Sequence, residues 1–168
     1  KKTQLRYNGN IVYNPIKDLT LSAVFSYIRD NMNRGYGETL NHISALRDGL
    51  AGWSSVGAYT KMEKLMELTA QYNKEIGAHK FSVLGGYSYN ETDFEELWID
   101  NYGFQDDYFG GWHNIGIGSA LKDGKANIGS KTTPTNLIGF FGRATYSFKN
   151  RYLLMGALRY EGASQLWG

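Results

Sequence analysis

The chain has 168 residues, a formal net charge of +2, no cysteine and a hydrophobic fraction of 42%. A disulfide framework and thiolate chemistry are excluded, and basic residues dispersed without a stripe argue against a nucleic-acid partner. No run reaches the ~18 apolar residues of a membrane helix, which excludes helical spans only, because β-barrel strands are half polar and escape hydropathy.

The first predicted strand covers residues 4–13, with Leu5, Tyr7, Ile11 and Tyr13 on one face and Gln4, Arg6, Asn8 and Asn10 on the other. This is the two-residue period of a β-strand. Pro15, which cannot sit in a central strand, fixes a tight turn over residues 14–18. The second strand, residues 19–29, repeats the pattern with Leu19, Leu21, Ala23, Phe25 and Tyr27 against Thr20, Ser22 and Ser26. A long loop follows to about Thr60, where Leu40, Ile43, Leu46 and Leu50 recur near helical spacing and suggest a short loop helix.

Residues 61–73 carry two competing signals. Met62, Leu65, Met66 and Thr69 would share a helical face, whereas the two-residue period sets Met66, Leu68, Ala70 and Tyr72 against Glu67, Thr69, Gln71 and Asn73. The tight connection through Gly77 to a clear strand at residues 80–89 favours a third strand. That fourth strand turns Phe81, Val83, Tyr87 and Tyr89 one way. A second long loop spans residues 92–134. The fifth strand, residues 137–148, sets Ile138, Phe140, Ala144, Tyr146 and Phe148 against Arg143, Thr145 and Ser147, and the sixth, residues 152–161, sets Tyr152, Leu154, Leu158 and Tyr160 against Arg159 and Glu161.

Tight and long connections thus alternate strictly, so all the long ones lie at one end, which is the asymmetry of an outer-membrane barrel. In such a barrel Phe25, Leu68, Phe81, Phe140, Leu154 and Leu158 face lipid, while Arg6, Glu67, Arg143, Arg159 and Glu161 face the lumen. The 13 Tyr and 4 Trp fit rim girdles, since amphipathic rings prefer the headgroup level. With the tight turns periplasmic, Tyr13, Tyr72, Tyr146, Phe148 and Tyr152 form the inner girdle and Tyr7, Tyr27, Tyr87, Tyr89 and Tyr160 the outer. Six strands leave unpaired edges that hydrocarbon does not tolerate, so residues 1–168 are expected to be part of a longer barrel domain whose remaining strands and signal peptide lie outside the chain. The alternative is a soluble or secreted β-sheet binding module whose apolar face packs on a second sheet.

Little in the sequence points to catalysis, a metal or a cofactor, and none is expected. His42, His79 and His113 stand far apart, and none has metal-ligand spacing. The glycines at 118 and 124 miss the phosphate-loop spacing by one residue, and Ala126 stands where Ser or Thr is needed. Asp106 and Asp107 lack the alternating oxygen ligands of a calcium loop. An outer-membrane hydrolase would need a nucleophile–base set that is missing from the pattern. In the second long loop Tyr102, Phe104, Tyr108, Phe109 and Trp112 are candidate contacts for a substrate or partner, because exposed rings stack on sugar faces and on proteins; packing of the loop's own core is the equal alternative.

Residues 137–154, LIGFFGRATYSFKNRYLL, continuing through GALR to EGAS at 161–164, resemble a hairpin of the SusC/RagA family of TonB-dependent outer-membrane transporters, which reads close to S-Y-F-G-R-x-N-Y-x-Y-x-x-R-Y-L-L-x-x-x-x-R-x-D-G-S-S. Residues 13–21, YNPIKDLTL, are similar to its Y-x-P-I-K-G-L-T hairpin. Residues 77–88, from Gly77-Ala78-His79-Lys80-Phe81 to Leu84-Gly85-Gly86-Tyr87-Ser88, are similar to its G-K-H-x-(apolar)-x-x-L-x-G-Y-S hairpin. The matches keep the family's order and leave the two long loops uncovered. Tyr160, Glu161 and Gln165-Leu166 depart from it. The resemblance implies an all-β, antiparallel up-and-down transmembrane barrel of 22 strands, of which about six consecutive ones are present, filled by an N-terminal plug that lies outside this chain. It further implies import of oligosaccharides or peptides across the outer membrane, driven by TonB acting on the plug, with a SusD-like surface lipoprotein over the external loops.

Overall fold

The structure, a computed structural model, describes residues 1–107 and 111–164. Six strands, β1 (Lys2–Ile16), β2 (Leu19–Glu38), β3 (Trp53–Ile76), β4 (His79–Tyr102), β5 (Asn127–Phe148) and β6 (Tyr152–Ala163), form one sheet in the order β1-β2-β3-β4-β5-β6. This is an all-β, antiparallel up-and-down arrangement in which each strand pairs with its neighbours in sequence. The segment at residues 61–73 is strand, part of β3, despite its good helix formers. A lone turn of helix there would have to forgo the ladder bonds that flanking strands offer to every peptide group.

The strands extend well past the periodic segments. β2 continues to Glu38, β3 begins at Trp53, β4 runs to Tyr102 and β5 starts at Asn127, so the long loops shrink to residues 39–52 and 103–126. The reason is physical. The backbone ladder of hydrogen bonds needs no apolar face to continue, so strands can outrun the segments whose side chains alternate. Over the added length the alternation gives way to Arg34 and Glu38 in β2 and to Asp93, Glu95, Glu96 and Asp100 in β4. Within the first loop, α1 (Ile43–Arg47) occupies the stretch with helical spacing. The second loop holds two 3₁₀ turns, Gly111–His113 and Ile115–Ile117, and one turn of helix, α2 (Ser119–Lys122).

The chain divides into two compact units that share these strands. The first comprises Lys1–Gln4, Asp30–Lys61 and Phe94–Thr133, and the second Leu5–Arg29, Met62–Asp93 and Pro134–Gly168. In the second unit the tight turns are tied to one another: Asn73 N–H donates to the Asp18 carbonyl, and Lys149 N–H donates to that of Ala78, each at 2.8 Å. Lys74 adds an ion pair with Asp18. The first unit holds the small core. Ala45, Phe104 and Ala120 are buried there together with the polar side chains of Ser54 and Asn101.

Candidate functional site

In the second unit the two faces of the sheet differ in kind. The β5–β6 register sets Phe140 opposite Tyr160, Gly142 opposite Leu158, Ala144 opposite Gly156, Tyr146 opposite Leu154 and Phe148 opposite Tyr152. Directly opposed residues share a face, so these ten form one surface. Ring contacts carry that surface onto β4, with Tyr87 5.2 Å from Phe140 and Phe81 4.9 Å from Tyr146. On β1, β2 and β3, Ile11, Tyr13, Leu21, Ala23, Leu68 and Ala70 line one shallow trough. Phe25 is exposed on β2, and Tyr7 stacks on Tyr27 at 6.4 Å.

This apolar face is uncovered. Leu158 is 78% exposed, Leu154 71% and Phe140 56%. Burying a Leu or Phe side chain is worth roughly 1.5–3 kcal/mol, and nothing among the described residues supplies that burial here.

Aromatic and charged groups mark its margins. Near the tight turns His79, Phe81, Tyr146 and Phe148 form a ring cluster in which His79 Nδ1 and the Tyr146 hydroxyl share a hydrogen bond of 2.8 Å. Tyr89 and Lys64 both donate to the Glu91 carboxylate, at 3.0 and 2.7 Å.

The opposite face carries the polar groups, interspersed with exposed Leu153 and Met155. Ser26 donates to Asn8 at 2.8 Å and Ser22 to Asn10 at 3.3 Å. Arg159 Nε donates to Glu161 at 2.7 Å while the guanidinium lies 5.7 Å above the Phe141 ring. Phe141 itself lies across Gly86, where an added Cβ would fall within the ring. Arg143 opposes Ala157 and so shares this face with Phe141 and Arg159. Arg6 and Glu67 alternate with Leu5 and Tyr7 and with Met66 and Leu68 along β1 and β3. Of the five charges expected in the lumen, Arg159 and Glu161 are joined directly; Arg6, Glu67 and Arg143 enter no ion pair among the described residues.

The first unit positions the loop aromatics. Phe104 is only 5% exposed and fills the loop core, so it presents no free ring. Trp112 lies across Gly35 and Gly37 of β2, where any Cβ would meet the indole, and part of the ring stays open to solvent. Tyr102 is half-buried at the end of β4. Tyr108 and Phe109 lie outside the described residues.

Asn101 is the polar pin of this loop. Its Nδ2 donates to the carbonyls of Ile115 and Gly118 at 2.6 and 3.1 Å, and its Oδ1 accepts from the Tyr102 N–H at 3.0 Å. The two long loops are joined by Leu40 N–H donating to Asp107 at 2.9 Å and by Phe104 N–H donating to the Ala51 carbonyl at 2.7 Å.

Three features of this unit carry no periodic signal. Tyr36 and Trp53 pair at 5.7 Å, and the Tyr36 hydroxyl donates to Glu38 at 3.2 Å, a bond to a carboxylate that raises the phenol above its usual range. Trp98 lies across Gly129. Glycines opposite aromatics are the one local trace of these pairings in the sequence. The histidines stay apart: His42 contacts Ser44 and Glu38, His79 contacts Tyr146, and the His113 ring lies tilted against that of Trp112.

No protein-family model matches the chain. It is 24% identical over 164 residues to TonB-dependent receptor P3 of Formosa agariphila, covering 98% of the chain and 16% of that relative. It is 27% identical over 125 residues to TonB-dependent receptor SusC of Bacteroides thetaiotaomicron, covering 70% of the chain and 11% of SusC. Among solved structures, the RagAB peptide transporter superposes with a TM-score of 0.79 at 23% identity, over 97% of the chain and 18% of that structure's chain. The chain therefore spans about a sixth of the length of the curated relative P3. These relatives are receptors and a transporter rather than enzymes, and receptors of this kind sit in the outer membrane.

Proposed function

Starting from a chain that is SusC/RagA-like in sequence and in strand order, we propose that it contributes three hairpins and two long external loops to the wall of a TonB-dependent importer. The observation that carries this reading is the bare apolar face of the second unit, bounded by aromatic rings and backed by a polar face. A closed barrel resolves both the uncovered face and the unpaired edges of β1 and β6, because lipid takes the first and further strands of a longer barrel domain take the second.

On this reading the parent barrel has 22 strands, a plug and a signal peptide beyond residues 1–168, and the apolar face, including Phe25, Leu68, Phe81, Phe140, Leu154 and Leu158, touches acyl chains. Arg6, Glu67, Arg143, Arg159 and Glu161 line the lumen or meet the plug. The cargo is an oligosaccharide or a peptide, the latter being what the RagAB complex carries according to its description as a peptide transporter. Energy comes from TonB through the plug, and a SusD-like lipoprotein covers the loops, whose contacts are the half-buried Tyr102 and the partly open Trp112, with Tyr108 and Phe109 beside them in sequence.

The test uses the absence of cysteine in this chain. Single cysteines at Leu158 and Arg159 of the parent protein, spin-labelled in vesicles, should report opposite surroundings: collision with dissolved oxygen at 158 and with a water-soluble nickel complex at 159. Equal access of the nickel complex to both positions overturns the barrel and supports a soluble β-sheet module.

A further inference from the structure

We infer that the β5–β6 turn and the rings beside it form a seat for the phosphate of an anionic phospholipid, with Lys149 and Arg151 as its two cations. The inference rests on the barrel-wall reading and adds to it the headgroup chemistry that this part of the wall selects. Phe148 and Tyr152 oppose each other at the end of β5 and β6, on the same face as Phe140, Tyr160 and Leu158. Lys149 Nζ lies 5.4 Å from the centroid of the Phe148 ring, and Arg151 Cζ lies 5.8 Å from that of Tyr152. Both cations are therefore draped over the last two rings of the apolar face, at the level where acyl chains give way to headgroups.

Their charge is available. Among the described residues neither Lys149 nor Arg151 makes an ion pair with a carboxylate. The acids of the other tight turns are already engaged, Asp18 with Lys74 and Glu75 with Lys80 at 3.4 Å. The neighbouring His79–Tyr146 pair adds polar atoms and no negative charge in either neutral tautomer. A guanidinium offers a forked pair of donors to phosphate and an ammonium a point charge, so the two together suit a phosphodiester oxygen pair.

The backbone supplies an independent indication. Arg151 N–H donates to the Phe148 carbonyl at 3.0 Å, closing a four-residue turn whose two central residues, Lys149 and Asn150, both have φ of 53°. Glycine or asparagine is the relaxed choice at such a position, and a lysine there costs about 1 kcal/mol of backbone strain. Strain held at a charged, exposed turn points to a use for the side chain that the fold itself does not require.

The experiment compares full-length protein with its K149Q/R151Q variant by native mass spectrometry from detergent micelles doped with phosphatidylglycerol or phosphatidylcholine. Wild type should retain phosphatidylglycerol over phosphatidylcholine, and the variant should lose that preference by about thirtyfold, as expected for two basic groups near an anionic surface. The variant K17Q, altered in a different tight turn, should keep the wild-type preference and shows that the effect is local. Equal retention of both lipids by wild type, or an unchanged preference in K149Q/R151Q, overturns the inference. The nickel and oxygen accessibilities at 158 and 159 report separately on the barrel wall, so a wild type without lipid preference, or a variant that keeps it, with the alternating accessibility intact defeats this inference alone.

Discussion

In the second unit the large apolar side chains point away from the protein, whereas in the first unit the same ladder of strands closes over a small core. Leu154 and Leu158 are mostly bare, while Ala45, Phe104 and Ala120 are sealed among Ser54, Asn101 and the glycines that admit them. The difference teaches where each region finds its stability. One leaves its apolar face to whatever surrounds it, on the proposed reading a bilayer, and the other relies on internal packing and on hydrogen bonds to loop carbonyls.

The sharpest way to break the comparison is to place a charge on each face of β6. Leu158→Arg in the parent protein should cost about 2–4 kcal/mol, the penalty for a cation toward the middle of the lipid face. Ala157→Arg, one residue away on the polar face, should cost less than about 1 kcal/mol, because a lumen accepts a cation. Denaturant titration of protein refolded into vesicles measures both, and equal costs would show that the two faces share one environment.

In the first unit the corresponding lever is polar. Asn101→Leu keeps the volume but strips donors from the Ile115 and Gly118 carbonyls. Leaving such groups unsatisfied costs roughly 1–3 kcal/mol. Hydrogen exchange should accelerate across residues 111–122 and stay unchanged over β5 and β6 in the second unit. Spread of the effect into those strands would mean that the loop core and the wall do not unfold separately.

This contrast also explains what could be read from the sequence. The wall was legible because its strands keep a two-residue period: Leu19 to Tyr27 and Ile138 to Phe148 alternate, broken only by Val24 and Phe141, and Pro15 and Gly77 punctuate the turns. The extensions of β2 to Glu38 and of β4 to Tyr102 were not, because a ladder in water places no periodic demand on its side chains. Trp112 on Gly35 and Gly37, and Asn101 beneath the loop, are contacts between segments far apart in sequence, and no local pattern announces them. Phe104 shows this: the sequence left contact and packing of the loop's own core as equal readings, and its ring is interior.

A smaller effect sharpens the polar face. Gly86→Ala sets a Cβ into the Phe141 ring, which also carries the Arg159 guanidinium. Overpacking of this kind costs about 1–3 kcal/mol, and rotation of an unenclosed ring moves the expectation to the lower end. Phe141→Leu combined with Gly86→Ala should recover most of the loss, measured by the same titration. Failure to recover would place the strain in the β4 backbone and not in the ring.

The smallest expected change has the opposite sign. Lys149→Gly relieves a left-handed lysine and should stabilise the β5–β6 hairpin by up to about 1 kcal/mol, less whatever the freer unfolded chain takes back. The same substitution removes one of the two cations over the rings, so phosphatidylglycerol preference should fall while stability rises. Lys149→Arg is the control, since it keeps both the charge and the strain and should change neither quantity. A glycine variant that gains stability and retains the lipid preference would show that the turn tolerates its lysine for no reason connected with the membrane.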